Sequence, residues 1–188
     1  MSENDSLIYR NVQIAFGIIA ILWTVHLADM VLPADLRVYG LRPRSQDGLI
    51  GIVCYPFLHN DFRHLIGNSG TLFILLIVSL SMDRRMTVFA LLIIIFLGGA
   101  GVWLFGKPGS IHIGASGVIF GLIGFLLFIG IFRKNWKTLL FSIAVFLAYG
   151  SALWSLLLIQ KGVSWSGHFW GFVSGVTAAW QMRRIRES

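Results

Sequence analysis

The sequence predicts an all-α membrane protein: a bundle of six transmembrane helices with a long first outer loop. Hydrophobic residues make up 56% of the chain and charged ones 12%, where an ordinary soluble domain carries about 25% charge. Mean hydropathy is +0.79. The apolar residues also gather into six segments near the roughly 20 residues that a bilayer-crossing helix requires. A chain of 188 residues with this composition cannot cover itself with polar surface, and one domain accounts for its length.

The segments fall at about 12–32, 63–82, 86–105, 115–132, 137–159 and 165–182. Residues 1–11 and 183–188 are left as short tails, with 12–182 as the helical core. The first tail carries Glu3 and Asp5, unlike the basic start of a signal peptide. The apolar run after it is longer than a signal core, so it reads as a retained first helix.

Basic residues punctuate the segments instead of forming a patch, which points to membrane lipid and not nucleic acid as the partner of the +7 charge. Nine of them (Arg10, Arg84, Arg85, Arg133, Lys134, Lys137, Arg183, Arg184 and Arg186) fall on one side, and six on the other. Four of those six lie in or just after the long loop, where the charge rule is weaker, so both termini are expected in the cytoplasm. The single cysteine, Cys54, excludes an intramolecular disulfide.

The loop over 33–62 is too long for a simple connector. Its stretch 49–58 is apolar but too short to span, and either lies in the interface or dips partway into the protein. Glycines at 98, 99, 101, 106 and 109 are expected to loosen the end of the third helix and the loop beyond it.

Segments two, four and six run in the same direction, from outside to inside. Counting back from the first cytoplasmic charge places Asn68 and His168 about 22 Å deep and Ser116 about 25 Å, at roughly 1.5 Å per residue. In a hydrocarbon core of about 30 Å, all three lie on the order of one turn inside the outer boundary. Polar groups at that depth are costly unless they face the bundle interior or a water-filled cavity. His64 shares a helix face with Asn68, four residues on.

Glycines give the helices their contact faces. Gly117, Gly121 and Gly124 follow Ser116, and Gly167, Gly171 and Gly175 surround His168, spacing that lets two membrane helices approach closely. Packing through these faces would bring the Ser116 oxygen within hydrogen-bond reach of the His168 imidazole. Serine needs such a base to become a nucleophile. The sixth segment holds no Asp or Glu, so the ring must be oriented by packing, with Phe120, one turn after Ser116, as the candidate.

At these residues the chain resembles the rhomboid intramembrane serine proteases. The resemblance rests on Gly114-Ala115-Ser116-Gly117, on His168 followed by Gly171 and Gly175, and on His59, His64 and Asn68 in order before them. It covers essentially the whole six-helix core and is closest to the compact prokaryotic form, which places the protein in the cell membrane. It implies Ser116 as nucleophile and His168 as general base, in a dyad without a carboxylate or any cofactor. Asn68, His64 and the Ser116 backbone N–H would stabilise the oxyanion, with His59 in structural support. The implied substrates are single-pass membrane proteins cut near their outer end.

Two features depart from the family pattern. Many relatives carry a Trp-Arg pair in the first outer loop, where this chain has Gly40-Leu41-Arg42-Pro43-Arg44; some carry Tyr where Phe120 stands. Neither removes catalytic machinery. A hydrolase elbow fails because Val118 replaces its last glycine, and no H-E-x-x-H zinc motif occurs. His26 and His112 read as incidental. The alternative function is a non-catalytic rhomboid-like binder or chaperone of membrane helices, which would usually have lost the serine or the histidine. A small transporter would spread its polar groups through both leaflets instead of at one level.

Overall fold

The computed structural model describes residues 3–156 and 164–183. The expected end of the fifth segment near 159, Lys161 and the tail beyond Arg183 lie outside these residues.

The helices are α1 (Glu3–Val31), the short α2 (Gly51–Cys54), α3 (Phe62–Met82), α4 (Arg84–Ile93), α5 (Gly99–Phe105), α6 (Ser116–Arg133), α7 (Trp136–Tyr149) and α8 (Trp165–Met182). A π-helical turn over Ile94–Gly98 joins α4 to α5, and α7 continues as a tighter helix through Leu156. Among the described residues, five stretches are long and apolar enough to cross a membrane: Asp5–Val31, Phe62–Met82, Arg84–Phe105, Ser116–Arg133 and Trp136–Leu156. The protein is an all-α integral membrane bundle. α8, at 18 residues, is about 27 Å long but less apolar. Its Gly, Ser and Ala residues are turned into the bundle instead of towards lipid.

α6 is the centre of the molecule. Of its membrane-length window 72% is buried, against 11% for the span built on α7. Leu122, Ile123, Phe125 and Leu126 fill the space between it and the surrounding helices. Its C-terminus turns at Lys134, with a left-handed φ of 54°. Asn135 then caps α7 by accepting from Lys137 N–H at 2.9 Å, so this connector needs few residues.

α6 and α8 meet backbone to backbone. A Cβ at Gly171 would lie 2.1 Å from the Gly117 carbonyl oxygen, and one at Gly175 would lie 1.8 Å from that of Gly121. These are distances that only glycine permits, and the expected glycine faces are the contact. Polar links complete the bundle. Ser79 and Thr87 share a buried hydrogen bond of 2.8 Å between α3 and α4, and Trp23 on α1 donates to Ser69 on α3 at 3.1 Å. Each contributes on the order of 0.6 kcal/mol inside a membrane.

Two expectations are corrected. The N-terminal residues are not a tail apart from the bundle: α1 is helical from Glu3. Arg84 holds this end, donating through Nε to Asn11 Oδ1 at 2.7 Å and through Nη2 to the Leu7 carbonyl at 2.9 Å. The glycines of the third span do not loosen its end either, since the helix runs on to Phe105. They are contact points. A Cβ at Gly98 would meet Ser174 Oγ at 3.0 Å, one at Gly99 would meet Ile52 Cγ2 at 2.8 Å, and one at Gly101 would press into the Trp170 ring at 2.5 Å.

The long loop between α1 and α3 is tied down along its length. Leu41 pairs with His112 in a two-bond antiparallel bridge. Arg44 donates from its backbone N–H to the Trp103 carbonyl at 2.9 Å and from Nη2 to that of Gly106 at 3.1 Å. Trp103 Nε1 returns a bond to the Ser45 carbonyl at 2.9 Å. The 49–58 stretch docks one face and exposes the other: Tyr55, Pro56 and Leu58 are buried, whereas Leu49, Ile50 and Val53 face outward.

Candidate active site

A cavity of about 640 Å³ opens among the N-terminal ends of α3, α6 and α8, lined by Ser116, His168, His64 and Asn68 together with Ser110, His112 and Ser164. The four residues expected from sequence to carry the chemistry therefore share one space. Each is placed by the start of its helix: Ser116 is the first residue of α6, His168 lies in the first turn of α8, and His64 and Asn68 lie in the first two turns of α3.

Ser116 owes its position to Gly114. That residue has φ of +109°, a conformation that L side chains rarely adopt, and a Cβ there would lie 2.5 Å from His64 Cε1. Its N–H donates to the Tyr55 carbonyl at 2.8 Å. The chain can thus pass between Tyr55 and the His64 ring and enter α6 directly at the serine. No side chain caps α6, and its first N–H groups have no partner within the helix. The positive end of the helix dipole is left facing the cavity.

His168 is held by packing. Phe120 stacks on its ring with centroids 4.1 Å apart and planes 16° from parallel, as the lack of a carboxylate on α8 requires. Its Nδ1 is buried without a hydrogen-bond partner. Among the described residues the Ser116 hydroxyl does not hydrogen-bond the imidazole. The direct hydrogen bond expected from helix packing is therefore not formed in this structure.

Asn68 is anchored by His59. Asn68 Nδ2 donates to His59 Nε2 at 3.0 Å, and His59 Nδ1 donates to the Phe57 carbonyl at 3.3 Å. The two bonds fix one neutral tautomer and leave the second amide hydrogen of Asn68 free to serve the cavity. Asp61 caps α3, accepting from His64 N–H at 2.9 Å. This bond, first among its causes, holds the Asp61 carboxyl below its usual range.

Burial, and then the neighbouring His64, push His59 down from 6.5 to about 4. The unfolded chain therefore takes up this proton first. The stability that neutral His59 supports is complete above about pH 6.5 and is lost as pH falls towards 4. Melting temperature in detergent should drop across that window, and His59→Gln should flatten the slope. An unchanged slope in the variant would remove His59 from the titration.

Sequence reasoning missed His112 and Ser164. His112 is 8% exposed, and its ring bridges Ser110 Oγ at 2.9 Å and Ser164 Oγ at 2.6 Å. Ser164 caps α8, accepting from Gly167 N–H at 3.2 Å. A serine just before the last helix was a legible N-cap signal. The histidine's partner, 52 residues away, was not. In the loop that lacks a Trp-Arg pair, Arg44 and Ser45 are bonded to Gly106 and Trp103 at the end of α5.

Fold and site together define a polytopic membrane protein with a polar, histidine-lined cavity at one end of its bundle. The Rhomboid domain family matches residues 46–185, and the chain belongs to the rhomboid family, whose members are generally intramembrane serine proteases. An uncharacterized protein of Mycobacterium tuberculosis is 39% identical over 170 residues, covering 86% of this chain and 71% of its own. One of Mycobacterium bovis matches to the same extent. One of Mycobacterium leprae is 38% identical over 172 residues, covering 86% and 67%.

Proposed function

We propose that the protein is a serine endopeptidase that cleaves transmembrane segments of single-pass membrane proteins near their outer end. The observation that carries this is the convergence of Ser116, His168, His64 and Asn68 on one cavity. Ser116 Oγ attacks the scissile carbonyl while His168 accepts its proton. The tetrahedral oxyanion takes hydrogen bonds from the Ser116 N–H, from the free Asn68 amide hydrogen and from His64. Collapse expels the amine, protonated by His168, and leaves an acyl-enzyme on Ser116. Water, deprotonated by the same imidazole, then releases the carboxylate. The cavity lies at the end of the bundle opposite the basic connectors that hold Arg84, Arg85, Arg133 and Lys134, which supports a catalytic level near the outer surface with both termini in the cytoplasm.

The other family reading, a non-catalytic binder of membrane helices, has no use for a serine and a stacked imidazole lining one cavity with a held amide. Purified protein in proteoliposomes should cut single-pass substrates that carry a small residue before the scissile bond. Asn68→Ala should slow kcat by about 10²–10³, the cost of one oxyanion donor, with the helical fold kept. Substrate binding without cleavage would favour the binder. Full turnover by Asn68→Ala would take that residue out of the oxyanion site.

A further inference from the structure

His112 enters neither the dyad nor the oxyanion contacts, yet it sits between the elements that carry them. Its backbone is fixed by the bridge to Leu41, with bonds of 2.9 and 3.0 Å. Its ring protons can be assigned from the partners. Ser110 Oγ spends its proton on the Lys107 carbonyl, so it accepts from His112 Nε2–H. Nδ1 is then the acceptor, and Ser164 Oγ–H donates to it at 2.6 Å. Ser164 Oγ in turn accepts from Gly167 N–H at 3.2 Å, and the Ser164 carbonyl accepts from His168 N–H at 3.1 Å.

The relay has one direction throughout, and it joins a residue four before Ser116 to a residue four before His168. Among the described residues it is the one hydrogen bond between the segment 107–115 and the start of α8. Deeper in the bundle the glycine contacts set the distance between helix axes. At the cavity level, where Gly117 also packs on the Gly167 carbonyl, this link ties the start of α8 to the segment that leads into Ser116.

We infer that His112 is a positioning residue: through Ser164 it holds the His168 ring in register with Ser116. The inference rests on the Ser116–His168 reading of the site. It requires only the Nδ1 side of the ring, which separates it from a general packing role. In His112→Asn the side-chain oxygen stands where Nδ1 stood and still accepts from Ser164. In His112→Gln the amide reaches towards the Ser110 side instead.

The test is the rate of covalent labelling of purified protein by a fluorophosphonate probe, together with kcat and KM on a cleaved membrane substrate, well below the melting temperature. His112→Asn should stay near wild type. His112→Gln and Ser164→Ala should each lose up to about 10²-fold in labelling and kcat, the cost of an ångström-scale misplacement, with KM little changed. The His112→Gln/Ser164→Ala double variant should be no slower than Ser164→Ala alone, since both break one link. Wild-type rates in His112→Gln, equal losses in the Asn and Gln variants, or losses that multiply in the double variant would each overturn the inference while leaving the dyad standing. Wild-type protein that never labels at Ser116 would refute the dyad and the inference with it.

Discussion

Gly171→Leu should abolish cleavage although it changes no residue of the dyad or the oxyanion site. A Cβ at this position falls 2.1 Å from the Gly117 carbonyl oxygen and 3.2 Å from its Cα. Both are backbone atoms of α6 and cannot rotate aside, so the helices must separate. Ser116 and His168 are carried on the two helices that part, and a shift of about 1 Å costs on the order of 10²-fold in rate. A leucine forces more than that. Thermal stability should fall as well, because close packing stands in for a hydrophobic driving force between helices in lipid. Gly17→Leu is the control, since nothing lies within 4 Å of a Cβ there. A cleavage assay and a melting curve in the same detergent check both. If Gly171→Leu cuts at the wild-type rate, the α6–α8 contact does not govern the site.

His168→Ala should be nearly inactive while keeping its fold. General base catalysis contributes up to about 10⁴-fold, and α8 offers no carboxylate to take the role over. The ring's removal opens space against Phe120, so His168→Gln, which refills part of it, separates lost chemistry from lost packing. Both variants should melt near the wild type, with kcat/KM reduced on the order of 10⁴-fold. A substantial rate in either one would mean that the proton leaves Ser116 by another path.

Much of this architecture could be read from the chain because it is written in local spacing. Hydropathy marked the spans, and glycines four apart marked the faces of α6 and α8 and paired them correctly. Segment length identified α8 even though its inward Gly, Ser and Ala residues make it less apolar than the other five spans. What escaped depends on partners distant in sequence. The polar residues before Val12 read as a tail until Arg84, 73 residues from Asn11, docks them. Gly98, Gly99 and Gly101 read as flexibility because Ser174, Ile52 and Trp170, the groups that demand their smallness, lie on other elements. His112 read as incidental for the same reason. The phenylalanine at 120 was legible because the stacking partner was already required by a base without a carboxylate.

The most direct measurement is to map a fluorophosphonate adduct by mass spectrometry on the purified protein. The cavity presents three serines, Ser110, Ser116 and Ser164, so the position of the adduct discriminates among them. One adduct on Ser116 is expected, absent from Ser116→Ala and sharply reduced in His168→Ala. An adduct on Ser110, Ser164 or any other residue, or cleavage of a membrane substrate by Ser116→Ala, would contradict the assignment of Ser116 as the nucleophile.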